Sequence, residues 1–266
     1  MSELNIVLSP HFDDAVLSLG GFLARNGTQS VVMTFCGGRP SKPVLKPWDK
    51  DSGFIDSDNA MNSRIAENER SLKYLGVPEK QVINYPFLDS QYQSIFQHAT
   101  NSQFSGMEAA IAKLLERYAS TETFFYAPGL EEHRDHKNVK LAFLNSLKTQ
   151  SNHKHSYYLY QDLPYADDFL NLNKASDRTV TRSGLDALRN KILHGYGAMD
   201  EVIELDQDSI EKKVVAVEMY KSQIAPLRTF SGIDMGLVVK NFAANQAKAL
   251  NISAPYCEVV YKLSEY

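Results

Sequence analysis

Cysteine is scarce in this chain: Cys36 and Cys257 are the only two in 266 residues. A disulfide framework and a cysteine zinc cage are both excluded. No run approaches the roughly 18 apolar residues of a membrane span. The opening Met1-Ser-Glu-Leu-Asn has neither the basic region nor the apolar stretch of a signal peptide. Excess positive charge is missing too, since 28 Lys and Arg face 32 Asp and Glu for a formal net charge of -4. That balance argues against holding nucleic acid by bulk charge. Internal repeats, low-complexity tracts and linker-like segments are absent, so a single domain over residues 1–266 is expected. What remains is an ordinary globular composition, 43% hydrophobic and 23% charged, long enough for its own core. The cytoplasm is the expected address.

The first third alternates strand and helix. Residues 4–8 form a short apolar run ending at Ser9-Pro10, the pattern of a buried strand. Val16, Leu19, Phe22 and Leu23 then recur at helical spacing, with Asp13 or Asp14 as the cap and Gly27 at the end. Residues 30–35 give a second strand, and strand, helix and strand this close imply a parallel βαβ unit. Residues 39–60 are polar and aperiodic, which predicts a functional loop or lid. Further on, helices are predicted over 62–75, 107–118, 136–147 and 209–220. Strands are predicted over 81–85, 123–127, 155–160, 202–205 and 258–262.

Two local patterns carry chemistry. Ser9-Pro10-His11-Phe12-Asp13-Asp14 falls where the first strand hands over to the first helix, and His133-Arg134-Asp135-His136 falls between a later strand and its helix. Ligands of open parallel sheets bind beyond the carboxyl ends of the strands, so the two patterns can meet there. Two imidazoles and a carboxylate can hold a catalytic zinc with one position open. A second carboxylate can act as general base and a further histidine as acid or oxyanion donor. His11, Asp14 and His136 can be the ligands, Asp13 the base, His133 the acid and Asp135 its orienter. Each pattern alone has a plainer reading, the Asp pair as a helix cap and His-x-x-His as a solvated helix entry. Their joint placement at strand ends favours the catalytic one.

These residues resemble the motifs of the PIG-L/LmbE-like family of zinc-dependent N-deacetylases. Ser9-Pro-His-Phe-Asp-Asp-Ala15 is similar to its Pro-His-Pro-Asp-Asp-Glu signature, and His133-Arg-Asp-His136 to its His-x-Asp-His motif. Arg64-x-x-Glu67 looks like the family's Arg-x-x-Glu helix, and Lys213, Tyr220, Ser222 and Gln223 look like its late helix. Pro86-Phe-Leu-Asp89 and Tyr160-Gln-Asp-Leu-Pro-Tyr165 resemble a subgroup with Ala where the signature has Glu. Phe12 and Ala15 are the departures, and neither removes a catalytic group.

The resemblance implies an α/β fold, a Rossmann-like three-layer domain with a mostly parallel sheet, and residues 165–266 as its extension. It implies His11, Asp14 and His136 as metal ligands, Asp13 as general base, and His133 with its partner Asp135 at the oxyanion or leaving amine. Arg64 and Asp89 fall where the family contacts the substrate sugar; as plain structure they would be an ion-pair partner and a turn residue. The implied cofactor is zinc, though the same donors also hold iron(II). The implied substrate is a small N-acetylated molecule, most simply a sugar. A deacylase of non-sugar amides and a non-catalytic carbohydrate-binding relative are the alternatives. Trp48, Tyr92, Tyr160 and Tyr165 are candidates for stacking on a sugar, with packing under a loop as the competing reading.

Overall fold

Strand β1 (Leu4–Ser9) buries Ile6, Val7 and Leu8 completely. A strand covered on both faces carries an unbroken apolar run, which is why it was readable. A computed structural model provides the structure and describes residues 3–170, 179–224, 226 and 234–266. β1 pairs in parallel with β2 (Ser30–Thr34) and β4 (Thr123–Pro128), β2 with β3 (Val82–Asn84), and β4 with β5 (His155–Tyr160). β7 (Tyr256–Leu263) runs antiparallel to both β5 and β6 (Ala198–Leu205), giving the order β3-β2-β1-β4-β5-β7-β6. The sheet is mostly parallel, as expected, with the last-formed edge as its exception.

Helices cover both faces of the sheet. α1 (Asp14–Asn26) and α3 (Ser57–Tyr74) both pack on α9 (Gln207–Glu218), while α5 (Phe104–Arg117) packs on α6 (Arg134–Gln150). The short α2 (Pro47–Asp51), α4 (Ile95–Thr100) and α7 (Tyr165–Phe169) lie in connections. α8 (Arg182–Leu193) and α10 (Met235–Leu250) follow, α10 against α9 and β7. Among the described residues no helix is long and apolar enough to cross a membrane.

Several boundaries differ from expectation. The segment 39–60 is not aperiodic throughout: it holds α2, and α3 already starts at Ser57. There Asp56 accepts the Asn59 amide at 2.8 Å, a cap at the head of a polar first turn that apolar spacing does not reveal. β6 begins at Ala198, four residues earlier than expected, because its first half is an exposed, polar edge paired with β7 and carries no apolar run to mark it. α4, α7, α8 and α10 were not anticipated.

α1 is bent at Leu19 (φ -121°, ψ 22°). The Gly21 and Phe22 amides beyond the bend donate to the Glu258 carboxylate at 2.9 and 2.8 Å. Lys213, buried like Glu258, donates to the same carboxylate at 2.7 Å and balances its charge. A Cβ on Gly20 would lie 2.7 Å from Lys213 Cγ, and one on Gly21 would overlap Leu205. The Gly20-Gly21 pair therefore serves close packing of α1 on its neighbours.

Candidate active site

The chain leaves β1 through Ser9-Pro10-His11 and enters α1 at Asp13. Asp13 holds the N-cap position without a side-chain capping bond. Ser9 does that work instead: its hydroxyl accepts the Ala15 amide at 3.0 Å and donates to the His11 carbonyl. The Asp13 carboxylate is thereby left to line the cavity beside His11 and Asp14. β1 and β4 are the adjacent strands where the sheet order reverses, the place where ligands bind in such sheets. The second motif arrives from β4 on the first turn of α6.

Asp14 Oδ2 sits at the centre. It accepts the His11 amide at 2.7 Å and lies 3.2 Å from His11 Nδ1 and 3.1 Å from His136 Nε2. Donor atoms around a tetrahedral zinc, bonded at about 2.0–2.1 Å, stand about 3.3 Å apart. His136 is 1% exposed, and its Nε2 makes no aligned hydrogen bond. Its Nδ1 faces Asp162 Oδ1 at 2.8 Å, and the other Asp162 oxygen accepts the Gly129 and Leu130 amides at 2.7 and 2.6 Å. With a proton fixed on Nδ1 by Asp162, a bound cation would take the Nε2 lone pair in place of the proton that Asp14 otherwise holds there. This buried, unsatisfied imidazole nitrogen among carboxylate and imidazole donors fits a divalent metal. His11, His133 and His136 also offer ring nitrogens within 4.8 Å of one another, so a three-histidine set is geometrically open as well.

Asp135 has a different partner from the one expected. Its Oδ2 is 3.1 Å from His11 Nε2 and accepts the Ser90 amide at 2.9 Å, but lies 3.8 Å from His133 Nδ1. Its carboxylate therefore orients His11. His133 is oriented instead by the Asp135 backbone amide, which donates to Nδ1 at 3.2 Å. That bond places the ring proton of a neutral His133 on Nε2.

The charges follow from burial and proximity. Burial and the adjacent Asp14 push Asp13 up to about 7. Burial opposes ionisation of Asp14 too, but the His136 and His11 rings outweigh it and hold the carboxyl well below its usual range. Burial likewise opposes a charge on His136, yet Asp14 and Asp162 raise it to about 9. His11 is raised in the same way by Asp135 and Asp14. Burial, with His11 alongside, lowers His133 to about 4, so it is neutral at pH 7.

Asp89 reaches the cavity and also works as a turn residue, accepting the Gln91 amide at 3.0 Å. Arg64 is not among the cavity-lining residues. It is 3% exposed, and its guanidinium donates to Asp49 at 2.7 Å and to the Tyr92 hydroxyl at 3.0 Å. Of the aromatic candidates, Trp48 and Tyr165 line the cavity. Tyr92 is buried beside Arg64, and Tyr160 is buried with its hydroxyl on the Leu8 carbonyl at 2.9 Å. The cavity measures about 300 Å³, at the lower end for a small-molecule site. Asp162 was passed over as a site residue; the signal was its place just beyond the end of β5.

The sequence model described as PIG-L: GlcNAc-PI de-N-acetylase matches residues 6–147. No curated protein matches the sequence significantly. Among solved structures, the zinc-inhibited form of teicoplanin deacetylase Orf2 is similar with a TM-score of 0.75 at 20% identity, covering 100% of both chains. N,N'-diacetylchitobiose deacetylase from Pyrococcus horikoshii gives 0.56 at 15%, covering 98% of this chain and 83% of that one. GalB, the 4-carboxy-2-hydroxymuconate hydratase of Pseudomonas putida KT2440, gives 0.57 at 13%, covering 100% and 98%. At these identities the likeness is one of fold, and the fold serves more than one reaction. The family match spans over half the sequence and both motifs, and the chain belongs to the PIG-L family.

Proposed function

We propose that the protein is a metal-dependent N-deacetylase acting on an amino sugar or sugar conjugate, working as one domain whose C-terminal strands complete the sheet. The observation that carries this reading is the convergence of His11, Asp13, Asp14 and His133 on one cavity, with His136 buried 3.1 Å behind Asp14. His11, Asp14 and His136 would hold the metal, zinc by family and iron(II) by donor chemistry. When bound, the ion supplies Lewis-acid polarisation of the acyl oxygen and an acidified water.

The remaining steps belong to the chain. Asp13, buried and poised near neutrality, takes the proton from the attacking water as its oxygen bonds to the carbonyl carbon. His133 donates its Nε2–H to the oxyanion that develops, a role a neutral imidazole fills once its tautomer is fixed. The C–N bond then breaks and the amine leaves with the proton held by Asp13. Acetate and a free amino group result. Asp135 and Asp162 keep His11 and His136 in place.

The test is acetate release from a panel of N-acetylated sugars, beside N-acetyl amino acids and longer N-acyl sugars. Release from sugars is expected. Activity confined to non-sugar amides, or no hydrolysis by metal-loaded protein, would overturn the assignment.

A further inference from the structure

The Arg64-x-x-Glu67 pair lies on one face of α3, and each residue holds a different wall of the cavity. Arg64 grips Asp49, the residue after Trp48, at 2.7 Å. The Tyr92 hydroxyl closes the triangle, accepting from Arg64 at 3.0 Å and sitting 2.8 Å from Asp49. All three side chains are buried. Glu67 accepts the Ser222 amide at 3.1 Å and its hydroxyl as well, fixing the residue before Gln223. Ser52 ties the two walls together: its hydroxyl donates to the Ser222 carbonyl at 2.6 Å and its backbone amide to the Trp48 carbonyl at 3.1 Å.

Both walls end in ligand-seeking groups. Trp48 is half-buried on a short helix and lines the cavity. Gln223 is 8% exposed, lines the same cavity, and its Nε2 has no hydrogen-bond partner among the described residues. A buried donor left unpaired is costly and calls for an acceptor from the ligand.

Resting on the deacetylase reading for its substrate, we propose that Trp48 and Gln223 form a subsite for the ring of an N-acylated sugar, with Arg64 and Glu67 as positioning residues. The apolar face of a pyranose stacks on Trp48, and a hydroxyl or carbonyl oxygen of the substrate accepts from Gln223. Arg64 then never touches the substrate. Its effect on binding passes through Asp49 to Trp48.

Trp48 is the chain's only tryptophan, so its fluorescence reports the clamp directly. The experiment compares acrylamide quenching of the metal-loaded wild type with Arg64→Lys, Asp49→Asn and the milder Tyr92→Phe. It then measures KM and kcat of these variants and Trp48→Leu on the best N-acetylated sugar of the panel. Quenching is expected to rise in the clamp variants, and KM to rise roughly tenfold in Trp48→Leu with kcat held within about twofold. Unchanged quenching in the clamp variants overturns the positioning role. So does an Arg64→Lys that raises KM while leaving Trp48 quenching as in wild type, since Arg64 would then bind substrate itself. A Trp48→Leu that lowers kcat at constant KM overturns the stacking wall. Failure of every N-acetylated substrate sinks the deacetylase reading instead, and the quenching comparison, which needs no substrate, still decides the clamp.

Discussion

Asp162 holds His136 from behind, one carboxylate oxygen 2.8 Å from Nδ1 and the other on the Gly129 and Leu130 amides. The loop after β4, the residue beyond β5 and the first turn of α6 are thus locked to one another through a single carboxylate. Such a partner fixes the tautomer and raises the basicity of a metal-binding ring. Asp162→Asn is expected to weaken metal affinity about 10- to 100-fold, read by competition with a chromophoric chelator. Wild-type affinity in the variant would mean that Asp162 serves the loop alone.

Base and oxyanion donor separate from the ligands by mutation. Asp13→Asn should keep the metal and lower kcat by about 10²–10⁴. His133→Ala should also keep the metal and lower kcat by about 10²–10³. Metal analysis and steady-state kinetics on the same preparations check both. Loss of metal from His133→Ala would shift the ligand set to the three histidines.

The buried Lys213–Glu258 pair supports the bend in α1 rather than the chemistry. Lys213→Met leaves Glu258 buried beside two backbone amides with its cation gone, and the expected cost is about 3–5 kcal/mol. Urea unfolding measures it. Pairing Lys213→Met with Glu258→Gln should return part of that stability, because the uncompensated charge is removed.

Buried His155, packed against Phe125 at 5.2 Å between ring centres, has a pKa lowered chiefly by burial. The unfolded chain binds this proton more readily than the folded one. Its contribution to stability is therefore present above the unfolded value near 6.5 and is lost as pH falls from there toward the folded value. His155→Phe should reduce the stability difference between pH 7 and pH 5, measured as urea midpoints. An unchanged difference would place that acid sensitivity elsewhere.

The parts of this fold and site that were legible are those written in consecutive residues. β1, β2, β4 and β5 are continuous apolar runs because both faces are covered. The two motifs are each four to six residues long at a strand end. What stayed hidden depends on pairing across the chain. Asp135 meets His11 over 124 residues, and Asp162 meets His136 over 26. Nothing local distinguishes a carboxylate that orients one histidine from one that orients another. The family motif implies Arg64 as a substrate contact; its buried pair with Asp49 is not legible because Asp49 lies in a polar segment where no apolar spacing announces it. The early start of α3 was missed for the same reason: Asp56 caps a first turn whose exposed face is polar.

His11, Asp14 and His136 are expected to hold one catalytic metal ion. Elemental analysis of the purified protein beside His136→Ala tests it most directly. The expected result is about one zinc or iron per chain in the wild type and none in the variant. A wild-type chain that stays metal-free after zinc is supplied, or a His136→Ala chain that retains its full complement, would contradict it.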